Sequence, residues 1–296
     1  MVRALIEMSA DINKAGNDGG TPLYLAAGHD NEAVLRALIE AGANVHKVTE
    51  AGESPLLVAT ERGHEAVVRA LIELGADVNK AVDNGATPLF IAACNGNEAV
   101  VRALIELGAD ANEVMDDGAM ALYIAAKKGH EPVLRALIEL GADVNKAKDN
   151  GVTPLFVAAQ EGNETVVRAL IELGADANEV MDDGATALYI AAKKGHEPVL
   201  RALIELGADV NKAKDNGVTP LFVAAGSGHE TVVRVLIELG ADINKAEDGG
   251  VWPLKIATHF GHEAVVRALI EAGADGSGRE RNEADDNGST PFFQLA

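Results

Sequence analysis

Aromatic residues are scarce. Phe, Trp and Tyr together make up 3% of the 296 residues, which leaves little with which to line a deep, ring-walled pocket. Cysteine is nearly absent: the lone Cys94 excludes an intramolecular disulfide framework and a cysteine-rich zinc site, and it fits a reducing compartment. Positive charge is in deficit. With 25 basic residues against 46 acidic ones the formal charge is −21, which repels phosphate and anionic lipid and excludes a general binder of nucleic acid or membrane surfaces. Long apolar runs are missing too: none approaches the roughly 18 residues of a membrane-spanning helix. The opening Met1-Val-Arg-Ala-Leu-Ile-Glu lacks the apolar core of a signal peptide. The expectation is a soluble, intracellular chain. What is plentiful is small aliphatic residue: 48% of the chain is hydrophobic, so a core must be built from Ala, Leu, Val and Ile.

These residues repeat. Thr21-Pro22, Thr87-Pro88, Thr153-Pro154 and Thr219-Pro220 stand on a 33-residue grid, with Ser54-Pro55, Met120-Ala121, Thr186-Ala187 and Trp252-Pro253 at the points between. Leu38, Leu71, Leu104, Leu137, Leu170, Leu203, Leu236 and Leu269 keep the same spacing, and a period of this size overrides any reading by chain length. The grid predicts one continuous domain over 1–296: an N-terminal half unit (1–16), eight full units (17–275), a loop insertion (276–284) and a C-terminal half unit (285–296).

Within one unit, Asn150-Gly151 signals a turn, Thr153 is placed to cap a helix and Pro154 to occupy its first position. Gly162 stops that short helix. A second helix over Glu164–Leu173 puts Val166, Val167, Leu170 and Ile171 on one apolar face, and Gly174 ends it. Such a unit cannot bury its own apolar face, so neighbours must stack. Over this period lies a second one: Val114 to Lys245 is two nearly identical 66-residue blocks, differing at pairs such as Met120 and Thr186 or Gln160 and Gly226. The same surface is therefore presented twice, which favours an extended or repetitive partner over one unique small ligand.

The period, Thr-Pro-Leu, Ala-Ala, Gly-His, Val-Val and Leu-Gly-Ala-Asp-Val-Asn together resemble the ankyrin-repeat family across essentially the whole chain. The resemblance implies an all-α solenoid of helix-turn-helix units with β-turn tips, a non-catalytic scaffold that binds another protein through the tips and a concave face formed with the first helices. The chain departs from the family at the His that follows Thr-Pro-Leu, which Tyr24, Leu57, Phe90, Tyr123, Phe156, Tyr189, Phe222 and Lys255 replace. An apolar contact between units is expected there instead of a hydrogen bond.

Stacking turns each column of like residues into a ladder with a step of about 8–10 Å. Glu65, Arg69 and Glu73 form an i, i+4, i+8 triad on a second helix, recurring as Glu98, Arg102, Glu106 and as Glu164, Arg168, Glu172. It reads either as a solvated face of modest pairs or as an electrostatic grid for a partner. His64, His130, His196, His229 and His262 stand one unit apart, too far to share an ion, and read as polar stitches at the helix connection. The column Asn79, Asn112, Asn145, Asn178, Asn211 reads as bonding the following loop; by the resemblance alone it is also a place for asparaginyl hydroxylation. The tips carry Asp83, Asp116, Asp149, Asp182, Asp215 and Asp248, either as turn acceptors or as an acidic rail for cations or a basic peptide. The residue before the cap varies along the grid (Glu53, Ala86, Val152, Ala185, Val218, Val251), which suits a recognition surface. The aromatic column reads as filler between units or as a stacking surface. No nucleophile elbow, phosphate-cradling loop or isolated carboxylate pair appears, so neither a catalytic site nor a cofactor is expected.

The two ends read as unmatched halves. The start supplies Val2, Leu5 and Ile6 of a second helix, and the last residues supply Phe292, Phe293 and Leu295 of a first helix. Joined head to tail between molecules they would rebuild one mixed unit, and a contact of that kind that does not close gives a filament. Self-assembly through the ends is the alternative to a scaffold for another protein.

Overall fold

In a computed structural model of the chain, the structure describes residues 11–17 and 19–274. Val2, Leu5, Ile6, Phe292, Phe293 and Leu295, with the segments 276–284 and 285–296, lie outside them. The described residues hold sixteen helices in pairs: α1 Pro22–Gly28 and α2 Glu32–Glu40, α3 Pro55–Glu61 and α4 Glu65–Glu73, α5 Pro88–Cys94 and α6 Glu98–Glu106, α7 Ala121–Lys128 and α8 Glu131–Glu139. The series continues with α9 Pro154–Glu161 and α10 Glu164–Glu172, α11 Ala187–Lys194 and α12 Glu197–Glu205, α13 Pro220–Ser227 and α14 Glu230–Glu238, α15 Pro253–His259 and α16 Glu263–Glu271. The only extended pairing among them is two isolated bridges at the tips, Val114 with Met120 and Val180 with Thr186.

Local chemistry sets each boundary. Thr153 Oγ1 accepts from the Phe156 N–H at 3.2 Å, satisfying one of the amides that a helix start leaves open, and Pro154 occupies the position where no donor is needed. Where the grid substitutes Met120 or Trp252 the helix still begins but has no side-chain cap. At the other end of α9, Gly162 takes φ +79°, and its amide returns to the Ala158 and Ala159 carbonyls. The second helix is one residue shorter than its apolar pattern suggests, because Leu173 serves as its C-cap.

Packing follows the grid. First helices stack on first helices and second on second, so one hydrophobic core runs from Leu23 to Leu269. Leu23, Leu56, Leu89, Leu122, Leu155, Leu188 and Leu221 are buried in the first-helix layer, and Leu71, Leu104, Leu137, Leu170, Leu203, Leu236 and Leu269 in the second. Fully buried Ala pairs such as Ala158–Ala159 let the short first helices approach closely, which is why few aromatic rings are needed.

Polar side chains stitch unit to unit. The Nε2 of His130, His196, His229 and His262 faces a carbonyl of the preceding unit (Cys94, Gln160, Lys193 and Gly226) at 3.0 Å, and His64 faces Gly28 at 3.3 Å. A carbonyl can only accept, so each ring nitrogen there is the donor. Asn163 does the same with its amide, donating to the Ala126 carbonyl at 3.0 Å. On the loop side, Asn112 donates to the Gly141 carbonyl at 3.0 Å and accepts from the Asp143 amide at 2.8 Å; Asn178 and Asn211 repeat this double bond onto the next loop.

The Glu–Arg–Glu triad is not the unit of pairing. Arg69 bonds Glu65 of its own helix at 2.9 Å, but its second carboxylate is Glu106 of the next unit at 2.8 Å, while Glu73 is taken by Arg36 of the preceding one at 3.1 Å. Arg102, Arg135, Arg168, Arg201 and Arg234 repeat the pattern with Glu139, Glu172, Glu205, Glu238 and Glu271. The i+8 Glu of each helix thus belongs to the neighbouring unit, and seven guanidiniums strap the eight second helices together.

Candidate functional site

The tips form a continuous, exposed edge. Asp83, Asp116, Asp149, Asp182, Asp215 and Asp248 are all exposed. Asp116, Asp149, Asp182 and Asp215 each lean over the turn glycine of the preceding unit: a Cβ placed on Gly118, for example, would lie 2.8 Å from Asp149 Oδ1. Tips also touch through their backbones, with the Asp215 amide donating to the Asp183 carbonyl at 3.3 Å and the Asp248 amide to Asn216 at 3.1 Å. The turn chemistry expected of these aspartates is done by the next residue instead. Asn84, Asp117, Asn150, Asp183 and Asn216 accept the amide two residues on, at 3.0–3.3 Å. The grid aspartates are therefore left with free carboxylate acceptors along the edge.

Val152 and Val218 sit beside the tips, half-buried rather than projecting, and their carbonyls accept from the Lys148 and Lys214 amides at 3.0 Å. Three larger apolar groups stand further out. Val48, Val114 and Val180, in the segment entering every second tip, are 41%, 44% and 41% exposed, where the intervening units carry Ala81, Ala147 and Ala213. The 66-residue alternation of Val with Ala over 48–213 is visible in the sequence, but the exposure of the valines is not.

The duplicated blocks also build two matching polar stations. Lys148 Nζ lies 2.7 Å from Asp117 and 4.9 Å from the centre of the Tyr123 ring; Lys214 Nζ lies 2.5 Å from Asp183 and 5.1 Å from Tyr189. The lysines are 15% and 18% exposed, so each is clamped between a carboxylate and an aromatic face. The hydrogen bond from the ammonium holds the Asp117 and Asp183 carboxyls below the usual range, and the Asp183 carboxylate holds Lys214 above its own. The aromatic column is thus mostly an inter-unit contact. Phe156 is buried at 8% exposure, Tyr123 and Tyr189 are covered by the next tip's lysine, and the Tyr24 hydroxyl donates to Glu53 of the next tip at 2.5 Å. A hydrogen bond from this column therefore survives at Tyr24.

Two open depressions lie elsewhere, on the end face of the last described unit. One, of about 650 Å³, is lined by Trp252, Leu254, Lys255, Ile256 and His259; the other, of about 420 Å³, by Val266, Arg267, Ile270 and neighbours. Ile270 in the second and Phe260 nearby in the chain are each 57% exposed. Among the described residues no group of three or more His, Cys, Asp or Glu stands close enough to hold a metal ion, and no helix is long and apolar enough to cross a membrane.

The comparisons with known proteins agree with this architecture. Models of ankyrin repeats in three copies match residues 34–115, 76–148, 107–181, 155–247 and 211–280, and a model of many copies matches 1–39. Among solved structures, the crystal structure of the human ASB11 ankyrin repeat domain superposes with a TM-score of 0.65 at 33% identity, covering 73% of this chain and 97% of that one. No curated protein matches the chain. Period, caps, stacking and family models converge: the chain belongs to the ankyrin-repeat family, whose members generally serve as protein-protein interaction modules.

Proposed function

We propose that this protein is a non-catalytic scaffold that binds another protein through its tip edge and the adjoining first-helix face. The observation that carries this reading is the pairing of a strapped core with an edge whose grid aspartates accept no turn amide, while Asp117 and Asp183 beside them do. Asp116, Asp149, Asp182 and Asp215 accept no turn amide, yet the tips that hold them are fixed against one another. Preorganised groups of this kind lose little entropy on binding. The excess of acidic over basic residues steers a basic partner to the edge. The test is capture of binding proteins by the wild type and by a chain carrying Asp116→Asn, Asp149→Asn, Asp182→Asn and Asp215→Asn together. Loss of capture with unchanged thermal unfolding supports the reading; unchanged capture overturns it.

A second reading rests on a different observation, the apolar end face at Trp252, Ile256, Phe260 and Ile270. Exposed apolar side chains of that kind favour a contact with a second copy of the chain. Electron microscopy over a range of concentrations decides it: filaments that vanish with Ile270→Glu support assembly, and uniform short particles throughout exclude it.

A further inference from the structure

We propose that the depression on α15 is the seat of this chain's own segment 285–296, outside the described residues, which closes it as the tip and first helix of a ninth unit. This goes beyond the scaffold reading and rests on the face that α15 presents. The columns that run from Leu23 to Leu221 and from Ala27 to Ala225 are buried in all seven earlier units, at most 3% exposed. On α15 the same positions are Leu254, only half-buried, and Thr258, exposed. What those two columns lack there, among the described residues, is a first helix that follows. The sequence supplies one. Asp286-Asn287-Gly288-Ser289-Thr290-Pro291-Phe292-Phe293 repeats Asp149-Asn150-Gly151-Val152-Thr153-Pro154-Leu155-Phe156 with changes only at Ser289 and Phe292. It carries the turn, the cap and the first position of a unit, and a Phe pair for an apolar depression of about 650 Å³. Thr290 stands sixteen residues after Ala274, where Trp252 stands eleven after Ala241, so reach is not limiting.

Two further observations point to the same occupant. Asn244 is 5% exposed, and its Oδ1 has no partner among the described residues. On the same column Asn112, Asn178 and Asn211 each accept the amide 31 residues on, at 2.8 Å. For Asn244 that amide belongs to Asp275, so the buried acceptor calls for a chain that leaves Ala274 along the course of the earlier loops. Charge agrees as well. Lys148 and Lys214 cover the Tyr123 and Tyr189 rings of the unit before them. Lys255 takes the place of those tyrosines, and Asp285, five residues before Thr290 as Lys148 is before Thr153, takes the place of the lysines. Lys255 is exposed and bonds no carboxylate among the described residues; its Nζ lies 5.2 Å from the centre of the Trp252 ring.

The test reads Trp252, the only tryptophan, in the full chain. Phe292→Ser together with Phe293→Ser is expected to move its emission to longer wavelength and to raise its quenching by acrylamide, with helix content otherwise retained. Segment and face belong to one chain, so wild-type emission is expected to be the same at ~1 µM and ~100 µM, as for a tethered ligand at an effective concentration on the order of mM. Lys255→Glu sets two carboxylates against each other and is expected to raise the quenching in part; adding Asp285→Lys is expected to reverse that rise. Unchanged quenching in the Phe variant overturns the proposal. Shielding that grows with concentration overturns it too, by assigning the face to a second copy, and so does the absence of reversal by Asp285→Lys. Capture of a partner by the tip edge, and the contact between copies tested at Ile270, are measured separately and stand or fall on their own results.

Discussion

Arg69 reaches past the end of its own unit to hold Glu106 at 2.8 Å, leaving Glu73, four residues along its own helix, to Arg36. Its Nε side faces Glu65, one turn back, and the other branch of the guanidinium fork points across the stack. One planar side chain thus serves two helices. The guanidiniums are 34–47% exposed, so each cross-unit pair is weak and screened by salt.

A double-mutant cycle separates the two geometries. Arg69→Gln combined with Glu106→Gln is expected to show a coupling of roughly 0.3–1 kcal/mol in urea unfolding at low ionic strength, falling toward zero in molar salt. Arg69→Gln combined with Glu73→Gln is expected to show none. Coupling in the second cycle and not the first would return the pairing to a single helix.

Tyr24 is the clearest titration marker. Burial first, then the hydrogen bond and charge of Glu53, push its hydroxyl up to about 12, from an ordinary value near 10. Below pH ~10 the phenol is neutral whether the chain is folded or not. Above it the unfolded chain ionises while the folded one keeps its proton, so this contribution to stability falls as pH rises from about 10 to about 12. Ultraviolet absorbance is expected to show an ionisation step near pH 12 that Tyr24→Phe removes. Glu53→Gln should lower its midpoint without restoring the ordinary value, since burial remains.

Gly195 and Gly261 occupy the same place after a first helix, at φ +79° and +71°, but differ in what covers them. A Cβ on Gly195 would meet His229 Nδ1 at 2.8 Å, whereas one on Gly261 meets nothing within 4 Å. Gly261→Ala is expected to cost about 1–2 kcal/mol from backbone strain alone, and Gly195→Ala more than that. Adding His229→Ala to Gly195→Ala should recover part of the excess. Equal costs at the two glycines would show that the ring yields freely.

Much of this was legible because each unit repeats the same local rules. Thr153, Pro154 and Gly162 announce a helix and its ends, and the Leu170 column announces the core, so fold and family could be read from the sequence. The His column was legible as stitching, though its acceptors were not: Cys94 and Gln160 lie 36 residues from His130 and His196, a separation that only stacking closes. Arg69 shows the limit most plainly. Glu73 and Glu106 are the same letter on the same grid, and the choice between them is made by the distance between neighbouring helices. At the tips, Asp149 and Asn150 are adjacent polar residues with similar side chains; backbone direction alone decides which accepts the Val152 amide. Val114 and Ala147 share one grid position, and only the stacked geometry shows that the larger side chain there stays 44% exposed.

The near-identity of 114–179 and 180–245 has a kinetic consequence. A growing stack that ends on the unit of Glu98–Glu106 offers a surface that either block fits almost equally well, so the second can dock where the first belongs and leave 66 residues looped out. Loop closure at that length grows only logarithmically, so the wrong register costs little at first and is escaped only by local unfolding. Refolding from denaturant should therefore show a slow phase insensitive to prolyl isomerase, and a chain lacking 114–179 should refold without it. The molecule carries its own decoy, and the time it spends escaping grows with the faithfulness of the copy.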